Sequence, residues 1–224
     1  MNIEQVKDKI LNDDEFIIGE LKNFLVYYNL KHTLRWGVDN GQKDSTESVA
    51  EHIYGMHILA EYFLPFYPEL SNNRVKSLIT WHDMAEALVD DMRTKEKTDE
   101  HRKNEYEAEK QIVDTSGNQI KEELRSIFVE YELQESVESK FVKAIDKAEP
   151  LFHMYFSIEV SRRSSNNPTI QSSEWVKADY VNHLKQYIED YNLLWRFQEI
   201  IIPELDKAGL FIENEDSTSR PVSK

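Results

Sequence analysis

The sequence predicts an all-α protein, and three observations carry that expectation. Only six glycines and six prolines punctuate its 224 residues. Apolar residues recur at three- and four-residue steps along most of the chain, the spacing of helices with one buried face. No apolar–polar alternation is long enough to make a strand, and no segment repeats another. The length fits one helical bundle domain, expected over residues 1–211.

The elements follow in order. Leu21, Phe24, Leu25 and Tyr28 form a first stripe expected to face a core. Residues 37–47 (GVDNGQKDSTE) collect turn formers and separate it from the second stripe. Ser48 and Glu51 have the S-x-x-E spacing of a capping box, which starts a helix just before Val49, Ile53, Met56, Leu59, Ala60 and Phe63. Pro65 and Pro68 stop it. Asn72 or Asn73 is expected to cap a third helix carrying Val75, Leu78, Ile79, Met84 and Leu88. Further stripes run through Ile112, Ile120–Phe128, Val137–Phe156 and Trp175–Ile201. Residues 161–173 (SRRSSNNPTIQSS) read as a long surface loop, and residues 212–224 as a flexible tail with little to bury.

Composition narrows the chemistry. Lys and Arg number 27 against 42 Asp and Glu, a net charge of −15. Such a chain repels a nucleic-acid duplex, because affinity for phosphates comes from cationic side chains. The absence of cysteine excludes disulfides, Cys-based zinc sites, iron–sulfur clusters and thiol nucleophiles together. Any metal must therefore be held by histidine and carboxylate. The opening MNIEQVKDKI lacks the apolar core of a signal peptide, and no uncharged apolar run reaches the roughly 18 residues of a membrane span. A cytoplasmic protein without a membrane partner is expected. The glycines are too scattered for a P-loop or a dinucleotide fingerprint.

The most informative string is Trp81-His82-Asp83-Met84-Ala85-Glu86. A His-Asp pair inside an apolar helix costs desolvation free energy unless both groups find partners. A divalent cation is one such partner. In a continuous helix His82 and Glu86 share a face, with Asp83 about 100° round from His82. A helix with a few solvated charges accounts for residues 81–86 equally well. Two further sites bear on the choice. His52 lies on a strongly apolar helix, and Asp146 lies inside another (Ala144-Ile145-Asp146-Lys147-Ala148-Glu149). Together the three sites could form a two-His, two-Asp shell for one divalent ion.

The H…HD…D pattern resembles the HD-domain metal-dependent phosphohydrolases. The surrounding words are similar to the branch of bacterial 5′-deoxynucleotidases and their eukaryotic HD-domain relatives. The matches are Arg35-Trp36, Glu47-Ser48-Val49-Ala50-Glu51-His52, His82–Asp91 (HDMAEALVDD) and Asp146-Lys147-Ala148-Glu149, covering roughly residues 20–160. The resemblance implies an HD-type helical bundle with metal ligands His52, His82, Asp83 and Asp146. It implies that Glu86 handles the proton of the attacking water and that Asp91 lies at the sugar side of the pocket. Arg35 would hold the substrate phosphate, and Trp36 would crowd the place of a 2′-hydroxyl. The residue types suit these roles: Arg offers a planar fork of donors to phosphate, and a carboxylate is a competent general base. Relatives also imply a homodimer.

Three departures stand out. Asp90 occupies a position where relatives usually have glycine, and no proline follows. His153 stands where they commonly have Gln. The stretch between Arg35 and His52 is slightly longer than in the deoxynucleotidases. Of the other histidines, His101 reads as solvated and His57 as a core histidine, so a mononuclear site is expected.

The leading expectation is hydrolysis of (deoxy)nucleoside 5′-monophosphates with one divalent ion, Mn²⁺, Co²⁺, Fe²⁺, Mg²⁺ or Zn²⁺. The alternative is an HD phosphohydrolase of a nucleoside triphosphate, an alarmone or a phosphodiester, with Arg93, Lys95 and Lys97 as extra cations. A catalytically silent helical binding module is a third reading, opposed by the complete ligand set.

Overall fold

The computed structural model describes residues 1–35, 47–92, 97–164 and 176–211, the side chains of 157–164 excepted. Trp36, the turn-rich residues 37–46, Arg93, Lys95, residues 165–173 and the tail 212–224 lie outside the described residues. Those described are all-α, with no strand beyond an antiparallel bridge between Leu34 and Ser48.

Helix α1 (Ile3–Asn12) opens on a capping box absent from the sequence reading. The Gln5 amide donates to the Asn2 side chain and the Asn2 amide to the Gln5 side chain, each at 2.9 Å. Asp13 caps α2 (Asp14–Tyr28). Here the expected stripe is corrected: Leu21, Phe24, Leu25 and Tyr28 are each at least half exposed, and Val26 and Tyr27 make the core contacts instead. Apolar residues lie on several sides of α2, so its own period cannot choose the buried face; its neighbours do.

Helix α3 (Val49–Phe63) starts at the expected capping box, the Ser48 amide donating to Glu51 Oε2 at 2.8 Å. A short 3₁₀ turn, Leu64–Phe66, follows, and α4 (Asn72–Trp81) is capped by Ser71 rather than by either asparagine. The third helix does not run on to Leu88. It breaks after Trp81, and a tightened turn leads into the single turn of α5 (Glu86–Val89). In that turn Met84 N bonds Trp81 O and Glu86 N bonds Asp83 O, three-residue closures in place of four.

Helices α6 (Asp99–Thr115), α7 (Lys121–Leu133) and α8 (Val137–Ser164) come next. α8 takes in residues 161–164, read from sequence as loop; Arg162 and Arg163 are good helix formers, and the next proline after Pro150 inside α8 is Pro168. The run Trp175–Ile201 divides into α9 (Lys177–Ile188) and α10 (Asn192–Lys207). The polar Glu189-Asp190 turn between them is closed by a Tyr191 N to Ile188 O bond.

Packing divides the chain into two units, Met1–Asp146 and Lys147–Lys224. In the first, Leu30, Val49, Met84, Ala87, Ile112, Val113, Leu124 and Phe128 form a buried cluster. Trp81, Met84 and Ala87 thus anchor the α4–α5 joint to the core, which fixes the polar residues His82, Asp83 and Glu86 between those anchors. The second unit buries Leu151, Leu184, Ile188, Leu194, Ile202 and Leu205.

Candidate metal centre

Residues on or beside three helices, all within the first unit, bring the expected ligands together. His52 projects from the second turn of α3, His82 is the C-cap of α4, Asp83 begins the tight turn after it, and Asp146 comes from α8. One ligand atom from each of the four lies within 4.8 Å of all the others. His52 is fully buried, and His82 and Asp146 are nearly so.

The hydrogen bonds show which histidine nitrogen is available. His82 Nδ1 is 3.0 Å from the Ile79 carbonyl, which only accepts, so Nδ1 carries the proton and Nε2 presents a lone pair in the neutral ring. That Nε2 is buried without a hydrogen-bond partner among the described residues, although it lies 3.1 Å from Asp83 Oδ2. His52 Nε2 is likewise 3.2 Å from Asp146 Oδ1. A lone pair facing a carboxylate oxygen is repulsive unless a cation stands with them. An orphaned imidazole nitrogen among two carboxylates therefore fits a divalent ion, and the N/O donor set suits Mn²⁺, Fe²⁺, Co²⁺ or Zn²⁺ better than a soft metal.

Electrostatics bind the remaining residues to this cluster. Burial works against the Asp83 charge, whereas positive charge placed at His82, and then at His52, lowers its carboxyl well below the usual range. Glu86, at the start of α5, behaves oppositely. Burial, then Asp83 and Asp91, push its carboxyl well above the ordinary value, and Oε2 has no hydrogen-bond partner among the described residues. Arg35 is held beside the site by the Leu34–Ser48 bridge: its amide donates to Glu47 O at 2.8 Å, while Val49 N donates to Thr33 O at 2.9 Å. Burial disfavours its charge, but Asp91, Asp146, Asp83 and Glu47 more than restore it. Asp91 is buried just beyond α5.

Asp90 has φ 61° and ψ 157°, a conformation that glycine adopts freely and other residues only under strain. The departure from glycine seen in the sequence thus falls on the position that wants one. His101 is the third residue of the α6 capping box, its Nδ1 accepting from the Thr98 amide at 3.2 Å, as befits a solvated histidine. His57 Nε2 is 3.2 Å from Thr80 Oγ1, and burial lowers its pKa.

Sequence reasoning gave no role to three residues at the centre. Glu47 is buried, 4.0 Å from Arg35 Nε. Tyr131 donates to Asp146 Oδ2 at 2.9 Å, and Lys143 Nζ donates to the Tyr131 oxygen at 3.1 Å. Desolvation, then the charges of Asp146 and Asp83, push the Tyr131 phenol well above its usual pKa. Glu47 lay in a quoted motif; nothing in the spacing of Tyr131 points to Asp146.

The match to known proteins agrees with this geometry. The model of the HD domain matches residues 27–188. The 5′-deoxynucleotidase hdd1 of Schizosaccharomyces pombe is 31% identical over 152 residues, 65% of this chain and 74% of that protein. The 5′-deoxynucleotidase HDDC2 of Mus musculus is 34% identical over 58% of this chain and 66% of its own length. For the Homo sapiens HDDC2 the figures are 37%, 51% and 55%, so the chain spans a little over half of that relative. A crystal structure of a predicted metal-dependent phosphohydrolase from Magnetospirillum magnetotacticum shares the fold, with a TM-score of 0.66 at 20% identity over 88% of this chain and 98% of that one.

A helical fold carrying a clustered H…HD…D set, matched by the HD model over most of its length, places the chain in the HD-domain family of metal-dependent phosphohydrolases. Within that family it is 5′-deoxynucleotidase-like.

Proposed function

We propose that the protein hydrolyses deoxynucleoside 5′-monophosphates to nucleoside and inorganic phosphate. The observation that carries this is the meeting of His52, His82, Asp83 and Asp146 within 4.8 Å, with Glu86 and Arg35 coupled to them. The names of the curated relatives support the substrate class.

On this reading the four clustered residues hold one divalent ion, of the set Mn²⁺, Co²⁺, Fe²⁺, Mg²⁺ or Zn²⁺. When bound, such an ion supplies Lewis acidity toward a phosphoryl oxygen and toward water. Arg35 binds the phosphate through its planar fork, steered by the buried carboxylates of Asp91 and Glu47 beside it. Glu86 moves the proton: burial and its acidic neighbours give it the high proton affinity a general base needs. As water oxygen bonds to phosphorus and the P–O5′ bond breaks, the proton taken by Glu86 becomes available to the departing 5′-oxygen. Asp91 is assigned to the sugar side. Trp36, outside the described residues, keeps its assignment beside C2′ on the sequence match alone.

A single HD-type domain over 1–211 is the matching organisation, supported by a family match that runs through the division at residue 146. The resemblance likewise supports a homodimer, and no helix among the described residues is long and apolar enough to cross a membrane.

A panel of nucleoside and deoxynucleoside monophosphates, assayed for phosphate with each metal in turn, tests the proposal. Orthophosphate released preferentially from deoxynucleotides is expected. Folded protein that releases none with any metal refutes it, and pyrophosphate or tripolyphosphate from triphosphates would replace the assigned substrate.

A further inference from the structure

Asp146 is gripped from two sides by groups of the first unit. Its Oδ1 faces His52 Nε2 at 3.2 Å, while its Oδ2 accepts from the Tyr131 hydroxyl at 2.9 Å and lies 3.5 Å from Lys143 Nζ. Lys143, one turn before Asp146 on α8, also donates to the Tyr131 oxygen at 3.1 Å and places its ammonium 4.5 Å from the Tyr131 ring centre. Tyr131 in turn stacks obliquely on the His82 ring, with centroids 4.8 Å apart. One phenol, from the last turn of α7, thus touches ligands supplied by α8 and by the end of α4.

We propose that Tyr131, backed by Lys143, is a positioning residue of the metal centre: it fixes Oδ2 of Asp146 so that Oδ1 is the ligand atom, and it sets the plane of the His82 ring. The inference rests on the reading of His52, His82, Asp83 and Asp146 as ligands. Its physics is that of outer-shell partners elsewhere. A carboxylate anchored through one oxygen loses the freedom to swing or to bind through both, and a ring packed on one face cannot turn its nitrogen away. The bonds run in one direction, ammonium to phenol oxygen and phenol proton to carboxylate, so each strengthens the next. Nothing in this chain need gain or lose a proton for the clamp to work.

The test is the metal affinity of the chelator-stripped full chain, titrated with Co²⁺ and followed by visible absorption and calorimetry. Tyr131→Phe keeps the ring and removes the hydroxyl; it is expected to bind Co²⁺ about 10- to 100-fold more weakly than the wild type. Lys143→Gln is expected to weaken binding by a smaller factor, and Lys143→Arg to restore part of it. A merely structural Tyr131 would instead lower the melting temperature of the stripped protein and leave the Co²⁺ affinity alone. Wild-type protein that binds Co²⁺, with Tyr131→Phe within about twofold of it, overturns the positioning role only. Wild-type protein that binds no Co²⁺ overturns the metal centre itself. Should Tyr131→Phe fail to fold, Lys143→Gln, at a side chain one quarter exposed, decides the matter by the same comparison.

Discussion

His52 and Asp146, 94 residues apart in sequence, bring Nε2 and Oδ1 to 3.2 Å in the buried centre of the first unit. That contact and the Tyr131 hydroxyl satisfy part of Asp146, but Asp83 is held beside it and removing two carboxylates from water is costly, so positive charge joining the cluster favours it. The energetic consequence is that a cation bound among these carboxylates stabilises the folded state.

Metal should therefore stabilise the native state strongly. A ligand that binds only the folded form adds about 2.7 kcal/mol at one hundred times its dissociation constant. Adding Mn²⁺ or Co²⁺ to stripped protein is expected to raise the melting temperature by several degrees, and EDTA to reverse the rise. His52→Ala should abolish the response. A wild-type melting curve indifferent to both metals and chelator contradicts the assignment.

Glu86→Gln separates chemistry from stability. The carboxyl is buried beside Asp83 and Asp91, which disfavour its charged form, and Oε2 lacks a partner among the described residues, so a neutral amide of the same shape suits the position. The variant should melt at or above the wild-type temperature and bind Co²⁺ undiminished. Loss of the proton-handling group should still cut phosphate release about 10²- to 10⁴-fold. Retention of the full rate would remove Glu86 from the mechanism.

Asp90→Gly tests the strain just beyond α5. A non-glycine residue at φ 61° and ψ 157° costs about 1–3 kcal/mol, from which glycine's extra chain entropy takes back about 0.5–1 kcal/mol. Net stabilisation of about 1 kcal/mol is expected by urea denaturation. Asp90→Val, branched at Cβ, should shift the midpoint the other way.

How much of this was legible in sequence differs by residue. The candidate residues His52, His82, Asp83 and Asp146 were picked out because buried charge is expensive, but residues 81–86 alone fitted solvated charges equally well, and it was the resemblance that joined the four as one ligand set. The Ser48–Glu51 box was readable because capping is local, and both bonds form as spaced. The face of α2 was not, since residues on several sides of that helix are apolar and only packing selects Val26 and Tyr27. The break after Trp81 was hidden because Met84 and Ala87 still point to the core through a tightened turn, preserving a helix-like apolar rhythm. Tyr131 was hidden for another reason: its partner lies 15 residues away on the next helix, a pairing no local period encodes.

Glu109 provides a pH signature outside the catalytic centre. Burial, then the charges of Glu132 and Glu105, raise its carboxyl from 4.5 to about 7. The folded protein therefore holds a proton that the unfolded chain releases between those values. The resulting stabilisation is fully present below about pH 4.5 and is lost as pH rises through about 7. Glu109→Gln keeps the neutral form at every pH, so its melting temperature should exceed that of the wild type at pH 8 and converge on it toward pH 5. With the partial exposure of this side chain, the gap at pH 8 should be about 1–2 kcal/mol. Parallel curves for the two proteins across that range would show that Glu109 titrates as an ordinary surface carboxylate.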